Sequence, residues 1–355
     1  MKRFAALSFF AAVGVMTMAF LFSGCGGGGG GGGSSSDSSA TGVDFVELRS
    51  LPVESSIKLE IPTYDGSNQL VHPDVIVHNG LIYMAATPYP WGNVEYENPS
   101  FYVSSDGVNF IPAADNPLVD HPDGGFNADP DLVVDPATGE FRVYYVEMAR
   151  DLTDQYLAVL RSPNGTDWVD HRKLTEFKAT KGDPFVVSPA MVLAGGKYYM
   201  FHVEVDTDPT THSPRLCRPD PYTHVIKVMT SSDGITWDKG SDTPVAIDLP
   251  AGFHPWHLDV VQGGGRYYML LDGYRGSICD HHFLYLAVSD DLAHWRFIPT
   301  PVVTPADAVM PNIKILYRST AVVDGDDMWI YFSFYTTDNR WFVGLKHIRI
   351  SDYVK

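Results

Sequence analysis

The chain is short of cysteine, of positive charge and of helical pattern. It holds three cysteines in 355 residues, and 25 Lys+Arg against 43 Asp+Glu, for a formal net charge of −18. Binding to nucleic acid needs Lys/Arg clusters facing phosphate, so this balance argues against that class of partner. No Gly-rich phosphate loop, no Gly-x-Ser-x-Gly elbow and no zinc-ligand spacing stands out, so no cofactor is expected and no metal ligand is assigned. The acidic excess leaves room for a structural or central Ca²⁺. Beyond the N-terminus no long stretch repeats its apolar residues with an amphipathic helical period.

The N-terminus reads as a targeting segment. Lys2 and Arg3 precede an almost wholly apolar run over residues 4–22, which ends in Phe22-Ser23-Gly24-Cys25. This resembles the lipobox of bacterial lipoproteins, although Phe22 stands where an aliphatic residue is usual. The alternative is a transmembrane anchor, since the run is nearly long enough to span. The resemblance implies a signal peptide over residues 1–24, with Cys25 acylated as the new first residue. Residues 25–41 are then the lipidated Cys and a Gly/Ser-rich tether, and 42–355 the folded domain. More than one acyl chain anchors firmly. Gly26 follows the Cys, where Asp would signal inner-membrane retention, so outer membrane, cell surface or periplasm is the expected location. Loss of Lys2 and Arg3 takes the net charge to −20, which suits a neutral or cationic substrate. In an oxidising compartment the remaining Cys217 and Cys279 can pair as a disulfide, the alternative being two buried thiols.

Repetition is the strongest internal signal. Ser104-Ser105-Asp106-Gly107-Val108-Asn109-Phe110 recurs as Ser162-Pro163-Asn164-Gly165-Thr166-Asp167-Trp168 and as Ser231-Ser232-Asp233-Gly234-Ile235-Thr236-Trp237. Ser289-Asp290-Asp291-Leu292-Ala293-His294-Trp295 is a weaker copy. Each reads as a strand end, an Asx/Gly turn and an aromatic that packs back. They resemble the Asp-box hairpins of propeller glycosidases, whose role is structural. Paired aromatics on strand-like segments precede each hairpin, at Tyr83, Tyr144-Tyr145, Tyr198-Tyr199 and Tyr267-Tyr268, and again at Trp329 and Tyr331. Counting back to the start of each unit gives His72, Asp129, Ser188, His257 and Arg318, in steps of 57, 59, 69 and 61 residues. Five β-rich units of this length predict an all-β fold, a five-bladed β-propeller. The fifth unit lacks a clear hairpin of this type, and residues 42–65 are placed to add a strand there and close the ring.

Blade rhythm, together with polar-Pro pairs at His72-Pro73, Asp129-Pro130 and Ser188-Pro189, resembles the five-bladed glycoside hydrolases of family 43, the arabinanase and β-xylosidase kind. The resemblance covers nearly the whole mature chain and implies an activity on poly- or oligosaccharide. In that family the first blade opens with the Asp general base, the second with an Asp that tunes the acid, and the third with the Glu general acid. Here these positions hold His72, Asp129 and Ser188. A Ser cannot deliver a proton as a carboxylic acid does, so the family mechanism does not transfer intact.

Other residues could do the work. Period-two geometry groups His72 with Asp74, Asp129 with Asp131, and His257 with Asp259 at one end of the ring. Asp129 or Asp74 is the candidate base, and His257 or Glu97 the candidate acid. His72, Asp131, Ser188, Asp259 and Arg318 are expected to bind substrate, with Trp91, from the aromatic Thr87–Trp91 loop, as a stacking surface. The rival expectation is a propeller that binds glycan without turning it over.

The lipobox reading has a direct test. Cys25→Ala should release the chain from the membrane fraction or block its processing, and unchanged acyl labelling of the variant would refute it.

Overall fold

Segments rich in β-branched and aromatic residues alternate with Gly-closed turns, and the chain returns on itself strand after strand. The computed structural model describes residues 46–121, 124–149, 154–180, 183–208, 210, 215, 223–275, 282–307 and 312–355. Cys25, Cys217 and Cys279 lie outside these residues, and with them the acylation and disulfide readings.

Five sheets form the blades of a β-propeller. Blade 1 holds Leu70–His78, Leu81–Pro88, Ser100–Ser104 and Ile111–Pro112; blade 2 holds Phe126–Val134, Phe141–Met148, Asp154–Ser162 and Val169–Thr180. Blade 3 holds Phe185–Ala194, Lys197–Val205, His224–Ser231 and Trp237–Pro244. Blade 4 holds Phe253–Gly263, Arg266–Arg275, Phe283–Ser289 and His294–Val303, with Ala246–Ile247 pairing in parallel at its edge. Blade 5 holds Ile313–Asp324, Asp327–Thr336 and Trp341–Arg349. Its fourth strand is Ser56–Lys58, which sets Ser56 opposite Lys346 and Lys58 opposite Gly344. The start of the domain thus closes the ring on its end, and the last blade's edge is covered.

Within every blade the first strand is innermost, and the five inner strands touch one another around the axis. Apolar side chains fill the spaces between blade faces. Leu132, Phe141 and Val143 of blade 2 pack on Ala85 and Phe101 of blade 1, and Trp329 and Tyr331 of blade 5 pack on Met84 and Tyr102. Because both faces of a blade are covered, its strands read as nearly continuous apolar runs.

The four repeated turns share one hydrogen-bond pattern. Ser104 Oγ accepts the Gly107 N–H at 2.8 Å, and Asp106 Oδ1 accepts the Val108 and Asn109 N–H groups at 2.9 and 2.8 Å. Ser162 with Asn164, Ser231 with Asp233, and Ser289 with Asp291 repeat it. The turn needs a left-handed residue. Gly supplies it in the first three, and Leu292 takes φ 66° in the fourth, which is why that copy looked weaker in sequence.

Blades are also stitched through the inner strands. Asp74 accepts the Leu132 N–H of blade 2, and Asp131 Oδ2 accepts the Met191 N–H of blade 3 at 3.0 Å. Thr320 Oγ1 accepts the Val75 N–H at 3.4 Å and donates to Asp74 Oδ1 at 3.0 Å. Ala190 has nothing to offer at the equivalent place, and the Val260 N–H is taken by its neighbour Asp259 Oδ1 at 2.7 Å. Thr320→Val keeps the shape but strands two buried partners. It should lower unfolding stability by about 1–3 kcal/mol per group left unsatisfied, read as a lower urea midpoint at unchanged slope, with Thr320→Ser close to the parent.

Candidate active site

The inner strands of blades 1 to 3 each carry a polar-Pro pair near their start. Proline has no N–H for the ladder, and the pairing register skips at each one: between Val71 and Asp74, Ala128 and Asp131, and Val187 and Ala190. The residue before each Pro is left-handed, with φ of 55° at His72, 53° at Asp129 and 57° at Ser188. Such backbone costs on the order of 1–3 kcal/mol in a non-Gly residue and persists only where the surroundings hold it. Here the His72 N–H donates to Ser333 Oγ and the Ser188 N–H to Asp129 Oδ2, both at 2.9 Å. Blades 4 and 5 skip register at the same level, next to His257 and at Arg318.

These skips divide the polar residues into two clusters, where simple alternation predicts one. The first joins His72, Asp129 and His257. His72 Nε2 lies 3.2 Å and His257 Nδ1 3.6 Å from the same oxygen, Asp129 Oδ1. His72 Nδ1 faces the other way, 3.1 Å from Thr87 Oγ1 and 3.5 Å from Glu97 Oε1. Glu97 comes from the loop after Trp91, fastened where its carbonyl accepts the Asn127 N–H at 2.8 Å and Asn98 Oδ1 accepts from Asn127 at 3.0 Å. All four side chains are buried.

The second cluster holds Asp74, Asp131 and Asp259, also buried. They line a cavity of about 640 Å³ with the apolar residues that follow them on the inner strands, towards the hairpin ends of those strands. Asp74, a candidate base in sequence, has both oxygens engaged by Leu132 and Thr320 and belongs to this cluster. Arg318, fully buried, donates from Nη2 to the Pro189 carbonyl at 2.8 Å and lies 3.6 Å from Asp131 Oδ1. Ser188 Oγ donates to the Leu258 carbonyl at 2.8 Å and accepts the Leu258 N–H at 2.9 Å, so its hydroxyl serves the joint between blades 3 and 4. Trp91 is 66% exposed and lines a separate surface hollow with Asp65 and Tyr96.

Burial sets the charge states. It pushes His72 down to about 4, against the pull of Asp129, and His257 well below the usual imidazole range. Burial opposes ionisation of Asp129 too, but the positive charge of His257 and His72 in their protonated forms, with Arg318 and the Ser188 N–H, outweighs it and holds that carboxyl below its usual range. Burial, and then the charge of Asp129, raise Glu97 well above the ordinary carboxylate range. The site therefore sets the Asp129 carboxylate between two imidazoles whose protonation burial opposes, with a second carboxyl, raised by burial, beside them.

Sequence reasoning missed three neighbours. Tyr317, on blade 5, has its ring 4.2 Å from that of His257, and its hydroxyl accepts from Trp256 Nε1 at 2.7 Å. His282 Nδ1 pairs with Asp272 Oδ1 at 2.8 Å, both buried, and the His282 ring stacks on Tyr274. Tyr317 falls inside the blade 5 register skip, one residue before Arg318, which was the available signal. Asp272 belongs to the second strand of blade 4 and His282 immediately precedes the third, where no repeat position marks them.

The donors of the first cluster fit a metal ion. His72 Nε2, Asp129 Oδ1 and both nitrogens of His257 are buried without a hydrogen-bond partner among the described residues. One ligand atom from each of the three residues lies within 4.8 Å of the others. Two neutral imidazoles and a carboxylate form a donor set suited to zinc or another first-row divalent ion.

No protein-family model matches the chain. Among curated proteins it is similar to the A type blood N-acetyl-alpha-D-galactosamine deacetylase of Flavonifractor plautii, 26% identical over 298 residues, covering 71% of this chain and 37% of that protein. The chain thus spans well under half the length of that relative. Among solved structures it is similar to an N-acetylgalactosamine deacetylase from F. plautii in complex with blood group B trisaccharide. The TM-score is 0.68 at 18% identity, over 82% of this chain and 94% of that one. A thermostable family-43 glycoside hydrolase matches with a TM-score of 0.55 at 15% identity, over 79% and 89% of the two chains. At these identities the likeness is one of fold, and the family-43 expectation for the architecture holds at that level.

The neutral imidazoles carry a pH signature. A group whose folded pKa lies below its unfolded value makes the unfolded chain bind more protons as pH falls, so stability declines with pH. For His72 that window runs from 6.5, the ordinary value, down to about 4. Thermal midpoints should therefore drop as pH falls through this window, and His257→Gln should flatten the drop. A midpoint that rises with acid would show that the imidazoles are protonated in the fold.

Proposed function

We propose that this propeller acts on glycans and hydrolyses the N-acetyl amide of an amino sugar, with His72, Asp129 and His257 holding a divalent metal ion. The convergence of His72 Nε2 and His257 Nδ1 on Asp129 Oδ1 carries this reading. The similarity to a curated N-acetylgalactosamine deacetylase supports the substrate class. Glycoside hydrolysis is disfavoured because Ser188, at the general-acid position of the family-43 pattern, has its hydroxyl committed to Leu258.

A bound metal ion would polarise the amide carbonyl and lower the pKa of an attacking water. The remaining chemistry falls to the protein. Glu97, raised first by burial and then by the charge of Asp129, suits a proton shuttle. In its ionised form it takes a proton from the water whose oxygen joins the carbonyl carbon, and returns it to the amide nitrogen as the C–N bond breaks. Acetate and a free amine leave. Thr87 holds the Nδ1 side of His72, so that Nε2 faces Asp129. Tyr317, with its oxygen already accepting from Trp256, keeps an O–H proton that can be donated to a developing oxyanion. Acylation at Cys25 would present this site outside the cytoplasm, where exogenous glycans are met.

The test is acetate release from N-acetylhexosamine-bearing glycans. Chelation should abolish it, and divalent metal should restore it. Glu97→Gln should lower kcat by about 10²–10⁴ with binding retained, and Asp129→Asn should lose both metal and turnover. New reducing ends without acetate would establish a glycosidase, and binding without turnover in the parent chain would establish a lectin-like propeller.

A further inference from the structure

Away from the axis, the outer strands of blade 3 carry a polar group that the chemistry above does not use. His202 and Glu204 lie two places apart on Lys197–Val205 and so share a face. Lys227 stands opposite His202 on the next strand and opposite Pro244 on the one after, so Asp242, two residues before Pro244, joins the same face. One ligand atom each from His202, Glu204 and Asp242 lies within 4.8 Å of the others. With Phe177, Val186 and Met229 they line a hollow of about 200 Å³ between this face and the outer strand of blade 2. None of His72, Asp129 or His257 lines it.

The imidazole is what a packing role leaves unexplained. His202 is 1% exposed, with the ring of Phe177 edge-on at 5.7 Å. Its Nδ1 is buried with no hydrogen-bond partner among the described residues. Its Nε2 stops 3.7 Å from Asp242 Oδ1, beyond hydrogen-bond reach, and that oxygen is itself buried without a partner. Buried polar atoms left facing each other unpaired are costly unless something between them engages both. Lys227 does not, because its Nζ takes the other oxygens, Glu204 Oε2 at 2.8 Å and Asp242 Oδ2 at 3.5 Å. It steadies both carboxylates and leaves one oxygen of each to the hollow. Lys178 and Lys239, at the rim, are turned to Asp154 and to the Glu176 carbonyl. Burial holds His202 below the usual imidazole range, outweighing Asp242, Glu204 and the Met200 carbonyl, so its lone pair is kept free of a proton.

We propose that His202, Glu204 and Asp242 hold a first-row divalent ion of the Zn²⁺ class at the seam of blades 2 and 3, apart from the axis. One imidazole and two carboxylates supply three ligand positions to such an ion, which water completes. The place also gives the ion a structural task. The ladder between the third and fourth strands of blade 3 skips from the Val228–Thr243 pair to the Thr230–Asp238 pair, and Asp242 lies in the bulge this leaves. An ion bound by His202 and Asp242 ties the fourth strand to the second across that lapse in pairing. The site shares no residue with the axial cluster and stands whether or not the deacetylase reading does.

The experiment removes the axial site first. The full chain carrying His257→Ala is stripped with chelator, dialysed and titrated with ZnCl₂ alone, with bound zinc measured by elemental analysis and stability by thermal midpoint. The expected result is one retained zinc equivalent per chain and a midpoint that rises with free Zn²⁺, as mass action requires for a ligand that binds the folded state. Adding Asp242→Asn, or Glu204→Gln at the more exposed edge, should abolish both. Failure of the stripped His257→Ala chain to retain zinc or to shift its midpoint overturns the proposal and leaves His202 and Asp242 as a loose pair. Retention of the equivalent by either folded variant overturns it too, because the ion then sits elsewhere. An anomalous difference map at the zinc edge, from crystals of the His257→Ala chain, locates the ion even if neither variant folds. A peak on these three residues supports the site, and a peak away from them overturns it.

Discussion

Asp129 is the joint on which the centre of this molecule turns. Its Oδ2 accepts the backbone N–H of Ser188 in the next blade, and its Oδ1 faces the two imidazoles of His72 and His257. The first contact fixes the carboxylate against the scaffold, and the second gives it chemistry. Neither works without the left-handed backbone at residue 129, and that strain is tolerable because Pro130 has no N–H to lose from the ladder. Strain, blade contact and ligand geometry are here one local solution.

The same economy explains why so many polar groups lie on the axis of an otherwise apolar molecule. An inner strand has neighbours on one side of its sheet only, so its other edge of N–H and C=O groups needs partners from the next blade. Asp74, Asp131 and Thr320 supply them, and Ser188 does so for Leu258. Once carboxylates are enlisted for that purpose, a low-dielectric core must either meet their charge or leave them their protons, and burial raises Asp74 to about 8. Arg318 meets part of that charge, which is the structural reason for a guanidinium that is wholly buried.

Much of this was legible in the sequence. The turn motifs and aromatic pairs repeat with the blade, so five blades, and even the early strand that closes the ring at Ser56–Lys58, follow from counting. The ring positions His72, Asp129, Ser188, His257 and Arg318 follow from the same count. The partition of their neighbours did not. Alternation puts residues n and n+2 on one face, but each inner strand skips register between or beside them, so Asp74, Asp131 and Asp259 separate from the residues two places earlier. Glu97 was visible only as an acid near an aromatic loop, and its meeting with His72 depends on a tertiary contact to Asn127. Asp272 and His282 carry no repeat signature, because pairing between strands is what joins them.

The departure from the family-43 pattern then acquires a physical meaning. The architecture requires an X-Pro pair at the start of an inner strand and a side chain that fastens to the next blade, and Ser188 satisfies that requirement as an acid would not, by both donating to and accepting from Leu258. With the third position spent on structure, that position offers no general acid. With the first position an imidazole, the pair of carboxylates that a glycosidase sets across its substrate is replaced by a carboxylate between two neutral nitrogens. The scaffold constrains which backbone groups must be met, and leaves open which side chains meet them. Exchanging Asp for His at one position and Glu for Ser at another therefore keeps the propeller while setting a carboxylate and two imidazoles at its axis in place of a proton-transfer pair.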